Sequence, residues 1–60
     1  MTGEEFKAIR NAAGLSVNGL ADALRISDER TVRRWEDGTK DVSGPASILM
    51  ELLRDGIWRP

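Results

Sequence analysis

A chain of 60 residues with nine basic and ten acidic side chains has a formal charge of -1 and forms one domain, burying about 60 % of its unfolded surface. It contains neither cysteine nor histidine, which excludes disulfide staples, Cys/His zinc sites and the commonest general base. The longest apolar run, Ile48-Leu49-Met50, is far too short for a membrane span, and no basic start followed by an apolar stretch marks a secretory signal, so an intracellular chain is expected.

Thr2-Gly3-Glu4-Glu5 fits a capping box, and the two acids suit the positive end of a helix dipole. The first helix therefore begins beside Thr2, places Phe6, Ile9 and Ala13 on one face, and ends at Gly14. Ser16 starts a second helix that runs to about Leu24 and buries Leu20, Ala21 and Leu24; Gly19 weakens it by about 1 kcal/mol. Ser27 or Asp28 caps a third helix, at about Asp28–Asp37, which Gly38 closes. Val32, Trp35 and Glu36 share its inner face, and Arg30, Arg33, Arg34 and Asp37 cover the remainder.

The segment Thr39–Ser43 reads as a polar loop. Gly44-Pro45 then opens a fourth helix with proline at the first helical position, and Ile48, Leu49, Leu52 and Leu53 form its apolar stripe up to the stop at Asp55-Gly56. Residues 57–60 form a tail, whose Trp58 either folds back on the core or joins a partner subunit. No alternating run of β-branched residues predicts a strand. The expected fold class is all-α: a compact bundle of four short helices over residues 1–56.

The stretch Leu20–Gly38 combines a short amphipathic helix, a tight polar connection and an arginine-rich helix, the parts of a helix-turn-helix unit. A helix that enters a DNA major groove needs a thin apolar stripe for docking and long polar side chains facing outward. Between Arg25 and Lys40 lie five basic and four acidic residues, so a single copy is expected to bind DNA weakly and with strong salt dependence.

Leu20-Ala21, Thr31-Val32-Arg33-Arg34-Trp35-Glu36-Asp37-Gly38 and the earlier Ile9-Arg10-Asn11-Ala12-Ala13-Gly14-Leu15-Ser16 resemble the phage repressor and Cro type of helix-turn-helix protein. The resemblance covers about residues 4–53. It implies a lambda repressor-like fold without the family's fifth helix, with base-edge contacts from Glu29, Arg30, Arg33 and Arg34. Arginine reads guanine through O6 and N7, and glutamate accepts from the cytosine amino group. Ser16, Asn18, Thr39 and Lys40 are the implied phosphate contacts, and Arg10 and Glu36 an implied buried ion pair. Three features depart from the family's pattern. Arg25 stands where glycine is usual, Val17 stands where glutamine is common, and the connection Ile26–Arg30 is one residue longer.

The expected function is that of a sequence-specific transcriptional regulator, cytoplasmic and nucleoid-associated, whose partner is double-stranded DNA. Such motifs commonly act as two-fold dimers, and a homodimer of this chain would form through the C-terminal helix and tail, Leu52–Trp58, or on the DNA itself. No cofactor, metal, membrane or small-molecule ligand is implied. No convergent catalytic set can be assembled, so the chain is not read as an enzyme. The competing expectation is a protein-interaction module on the same fold, motivated by the slight acidic excess and by Ile57-Trp58; on that reading the arginines are a solvated helix face.

Overall fold

The computed structural model describes residues 1–60 and contains four helices and no strand. They are α1 (Gly3–Ala12), α2 (Val17–Ala23), α3 (Glu29–Asp37) and α4 (Gly44–Arg54). Each starts on a side-chain cap. Thr2 and Glu5 form the reciprocal capping box, Ser16 accepts from the Gly19 N–H, Asp28 from Arg30 and Ser43 from Ala46. Such caps satisfy donors that the first helical turn leaves free. Asp28, rather than Ser27, caps α3. In α4 the expectation needs correction: Ser43 caps the helix, Gly44 is its first residue, and Pro45 takes the second position, where its missing N–H is equally harmless.

Three helices end in the same way. The Leu15, Ile26 and Ile57 N–H groups donate to the Arg10, Ala21 and Leu52 carbonyls, and the preceding Gly14, Arg25 and Gly56 donate to Asn11, Asp22 and Leu53. This paired pattern is the Schellman motif, which requires a left-handed residue at its pivot. Gly14 (φ 73°) and Gly56 (φ 76°) adopt that conformation without steric cost, but Arg25 at φ 60° does not. The departure from glycine at position 25 is therefore a strained pivot inside an otherwise ordinary helix stop.

Phe6, Leu20, Ala21, Val32, Trp35, Ala46 and Met50 are buried, and Ile9, Leu15, Val17, Leu24, Ile26, Val42 and Leu53 pack against them. α3 lies against α1 and α2, and α4 lies against α1. The α1–α3 contact is unusually close. A Cβ on Gly3 would sit 2.5 Å from the Trp35 carbonyl oxygen and 2.6 Å from that of Glu36. Three positions on one face of α1 thus meet the end of α3: Gly3 touches its backbone, Phe6 sets its ring edge-on to Trp35 (5.5 Å, 60°), and Arg10 reaches Glu36.

Two further expectations are overturned. Ala13 is exposed, because it is the C-cap of α1 and lies beyond the face that buries Phe6. Ile48 is 58 % exposed, and the inward side of α4 is formed by Ala46 and Met50 with Leu53 beside them; Leu49 and Leu52 are half-buried. Trp58 is half-buried and borders a shallow groove with Leu15, Gly19 and Ala23, whereas Ile57 is 73 % exposed.

Two substitutions test this packing by their sign. Helix propensity alone would make Gly3→Ala stabilising by up to about 1 kcal/mol, but the added methyl must push α1 off two backbone carbonyls. A net loss of about 1–3 kcal/mol is expected in urea unfolding. Arg25→Gly should move the midpoint the other way, by about 0.5–1 kcal/mol, because it relieves the left-handed strain while loosening the unfolded chain.

Candidate nucleic-acid interface

Burial of Val32 and Trp35, with Glu36 largely shielded beside them, turns α3 so that Arg30, Arg33, Arg34 and Asp37 are all exposed. At about 100° per residue these four positions fall on one face. Three cations and one anion therefore project from the side of the helix opposite the core.

The three arginines differ in what holds them. Arg30 donates through Nε to both Asp28 carboxylate oxygens, at 3.2 and 3.3 Å, and Asp28 Oδ1 also accepts from the Arg30 backbone N–H at 2.9 Å. Arg33 lies 3.8 Å from Glu29 Oε2, an ion pair too long for a hydrogen bond. Arg34 has no hydrogen-bonded or ion-paired side-chain partner and is exposed. Glu29 is only half-exposed, and its Oε2 is covered without a hydrogen-bond partner, which turns that oxygen away from any ligand on the outer face.

The implied phosphate contacts fall into two groups, at the start of α2 and beyond the end of α3. Ser16 is occupied as a cap, its hydroxyl accepting from Gly19 at 2.9 Å, and Asn18 is exposed in the first turn of α2. The Thr39 N–H donates to the Asp37 carboxylate at 2.8 Å, and exposed Lys40 donates its backbone N–H to the Arg34 carbonyl. Hydrogen bonds from Thr39 hold the Asp37 carboxyl below its ordinary range, as those from the Arg30 backbone and guanidinium do for Asp28. What each carboxylate adds to stability is complete above the ordinary pKa of about 3.9 and is lost as pH falls through the lower folded value.

Behind this face, Arg10 and Glu36 meet in a two-bond pair, Nε to Oε2 at 2.6 Å and Nη2 to Oε1 at 3.0 Å. Arg10 Nη1 also donates to the Leu15 carbonyl at 2.9 Å. The side chains are 11 % and 10 % exposed, so neither is available to an outside ligand. The bonds to Glu36 raise the already high Arg10 pKa. No group of side chains is arranged to hold a metal ion, and no helix is long and apolar enough to cross a membrane.

Sequence reasoning reads Asp28 as a cap and misses its hold on Arg30, since residues two apart do not face each other within a helix. Asp28 lies just outside the helix, with an extended backbone (φ -123°, ψ 111°), and this brings its carboxylate back over Arg30. An N-cap acid followed two residues later by arginine is the available signal.

Removing one member of the Arg10–Glu36 pair should be costlier than removing both, because a single deletion leaves a shielded charge alone. Glu36→Leu is expected to cost about 3 kcal/mol or more, and the double variant Arg10→Met/Glu36→Leu clearly less. Chemical unfolding of the single and double variants measures the difference. No family model, curated protein or solved structure matches this chain.

Proposed function

We propose that the chain is a sequence-specific DNA-binding module of a transcriptional regulator that lays α3 in the major groove of an operator half-site. The observation that carries this reading is the outer face of α3. Arg30, Arg33 and Arg34 stand exposed together, while Val32 and Trp35 dock the helix on α1 and α2. A groove about 12 Å wide admits one helix, and long side chains on the outward face reach base edges. Arg30 and Arg34 lie one turn apart, about 6 Å along the axis, which spans roughly two base-pair steps. Asn18 and Lys40 are exposed at positions suited to phosphate contacts that fix orientation without reading sequence. The near-neutral charge favours two copies acting together on adjacent half-sites, joined through α4 and the tail.

A second reading, a protein-interaction module, is favoured by one observation: Ile48 and Ile57 are large apolar side chains left exposed on α4 and the tail. Chemical-shift mapping separates the two, since added duplex should perturb residues 30–37 on the first reading and leave them unmoved on the second.

A competition gel-shift with a selected operator gives the stricter test. Arg34→Ala should weaken the specific complex by about 10- to 100-fold while barely changing binding to random DNA. Lys40→Ala should weaken both complexes alike and reduce the slope of log affinity against log salt by about one. Equal, feeble binding of wild type to operator and random DNA would remove the proposal.

A further inference from the structure

The three arginines on α3 are chemically unequal, and the inequality identifies a residue that governs what Arg30 recognises. Asp28 grips one residue at two points: its carboxylate takes the Arg30 backbone N–H at 2.9 Å and the Arg30 Nε at 3.2 and 3.3 Å. Both Arg30 Nη groups are left without a protein partner on a side chain that is 73 % exposed. A guanidinium is a rigid planar fork, so anchoring the Nε corner restrains the direction of the free Nη edge. That edge carries the two donors that guanine O6 and N7 accept side by side.

The anchor also changes which acceptor is preferred. A phosphate approaching Arg30 would bring its negative charge beside the Asp28 carboxylate, which is held ionised by the same hydrogen bonds. The edge of guanine is polar but uncharged and meets no such repulsion. Discrimination built on an unfavourable contact with the wrong partner is a general route to specificity. Arg33 and Arg34 lack this arrangement: Arg33 has only a distant counter-ion at 3.8 Å, and Arg34 feels Asp37 and Asp28 through space with no carboxylate bonded to it.

Resting on the DNA-reading proposal above, we infer that Asp28 is a positioning residue that commits Arg30 to a guanine base edge instead of the phosphate backbone. Asp28 need not touch DNA to do this. Its effect reaches the DNA through the direction and charge environment of the Arg30 side chain.

In vitro selection of bound duplexes should be run on wild type, Arg30→Ala, Asp28→Ser and Asp28→Asn, with folding checked by circular dichroism. Serine and asparagine both keep the helix cap, so the fold is retained while the charge is removed. Wild type should select a guanine at one base pair of each half-site, and Arg30→Ala should lose that preference at that base pair alone. Asp28→Ser should relax the same preference by about tenfold and strengthen binding to random DNA, and Asp28→Asn, which keeps an acceptor for Nε, should fall between. A guanine preference unchanged in Asp28→Ser would overturn the inference, as would a loss of affinity spread evenly over all positions. Selection of no sequence by wild type would remove the DNA-reading proposal itself, a result distinct from either.

Discussion

Arg10 extends from α1 to the Glu36 carboxylate on α3 and, with its third nitrogen, to the Leu15 carbonyl at the entrance to α2. One guanidinium thereby ties together the first three helices at the point where they converge. The pair is nearly shielded from water, where an ion pair gains from low dielectric but must also overcome desolvation. Its net contribution to stability is therefore a weaker argument than its contribution to geometry. Five donors in a fixed fork tolerate few arrangements, so the pair fixes how α3 is rotated on α1. Gly3 and Phe6 act on the same contact from two turns and one turn away, by backbone approach and by the edge-on ring against Trp35. With that rotation fixed, Arg30, Arg33 and Arg34 have only one side on which to emerge.

The helix stops show how the chain repeats a local device and departs from it once. Leu15 and Ile26 follow their left-handed pivots and tuck against the core, the hydrophobic contact that normally accompanies a Schellman ending. Ile57 follows the third pivot with the same backbone bonds yet stays in solvent. Arg25 makes the second pivot with a side chain that sterics disfavour there. Strain of this size persists only where the surroundings hold it, and here the anchored Ile26 and the two pivot hydrogen bonds do so. The connection between α2 and α3 is consequently the place where the chain retains a conformation that its own residue resists.

What could be read from the sequence follows the range of the forces involved. The four helices, the Thr2–Glu5 box and the stops at Gly14, Gly38 and Gly56 depend on residues a few positions apart, and their signals are local. The stripe of α4 was not legible for a specific reason. Ala46, Ile48, Leu49, Met50, Leu52 and Leu53 spread apolar surface over roughly 200° of its circumference at about 100° per residue. Periodicity then offers two stripes. The larger side chains suggest the one through Ile48 and Leu52, but the structure buries the one with Ala46 and Met50. In the candidate site, the arginine face was legible from α3 alone. The Asp28 tether was not, because it depends on an extended cap residue that helical spacing rules do not cover.

The same tether bears on how a nearly neutral chain could read DNA at all. Affinity for the phosphate backbone scales with the number of cations that displace counter-ions, and the nine in this chain are offset by ten acids. All three arginines on α3 already have acidic neighbours, Asp28 paired with Arg30, Glu29 near Arg33 and Asp37 near Arg34, that subtract from non-specific attraction. A basic surface without such acids would hold any duplex more firmly and distinguish sequences less. Pairing the arginines with acids lowers the background that competing sites provide, and the ratio of specific to random binding is the quantity that counts in a genome. On the proposed DNA-binding function, the lost affinity would come from a second copy, whose simultaneous engagement raises the effective concentration without further charge. Acidic residues beside the reading arginines and a need for two copies are, on this view, consequences of one choice of charge.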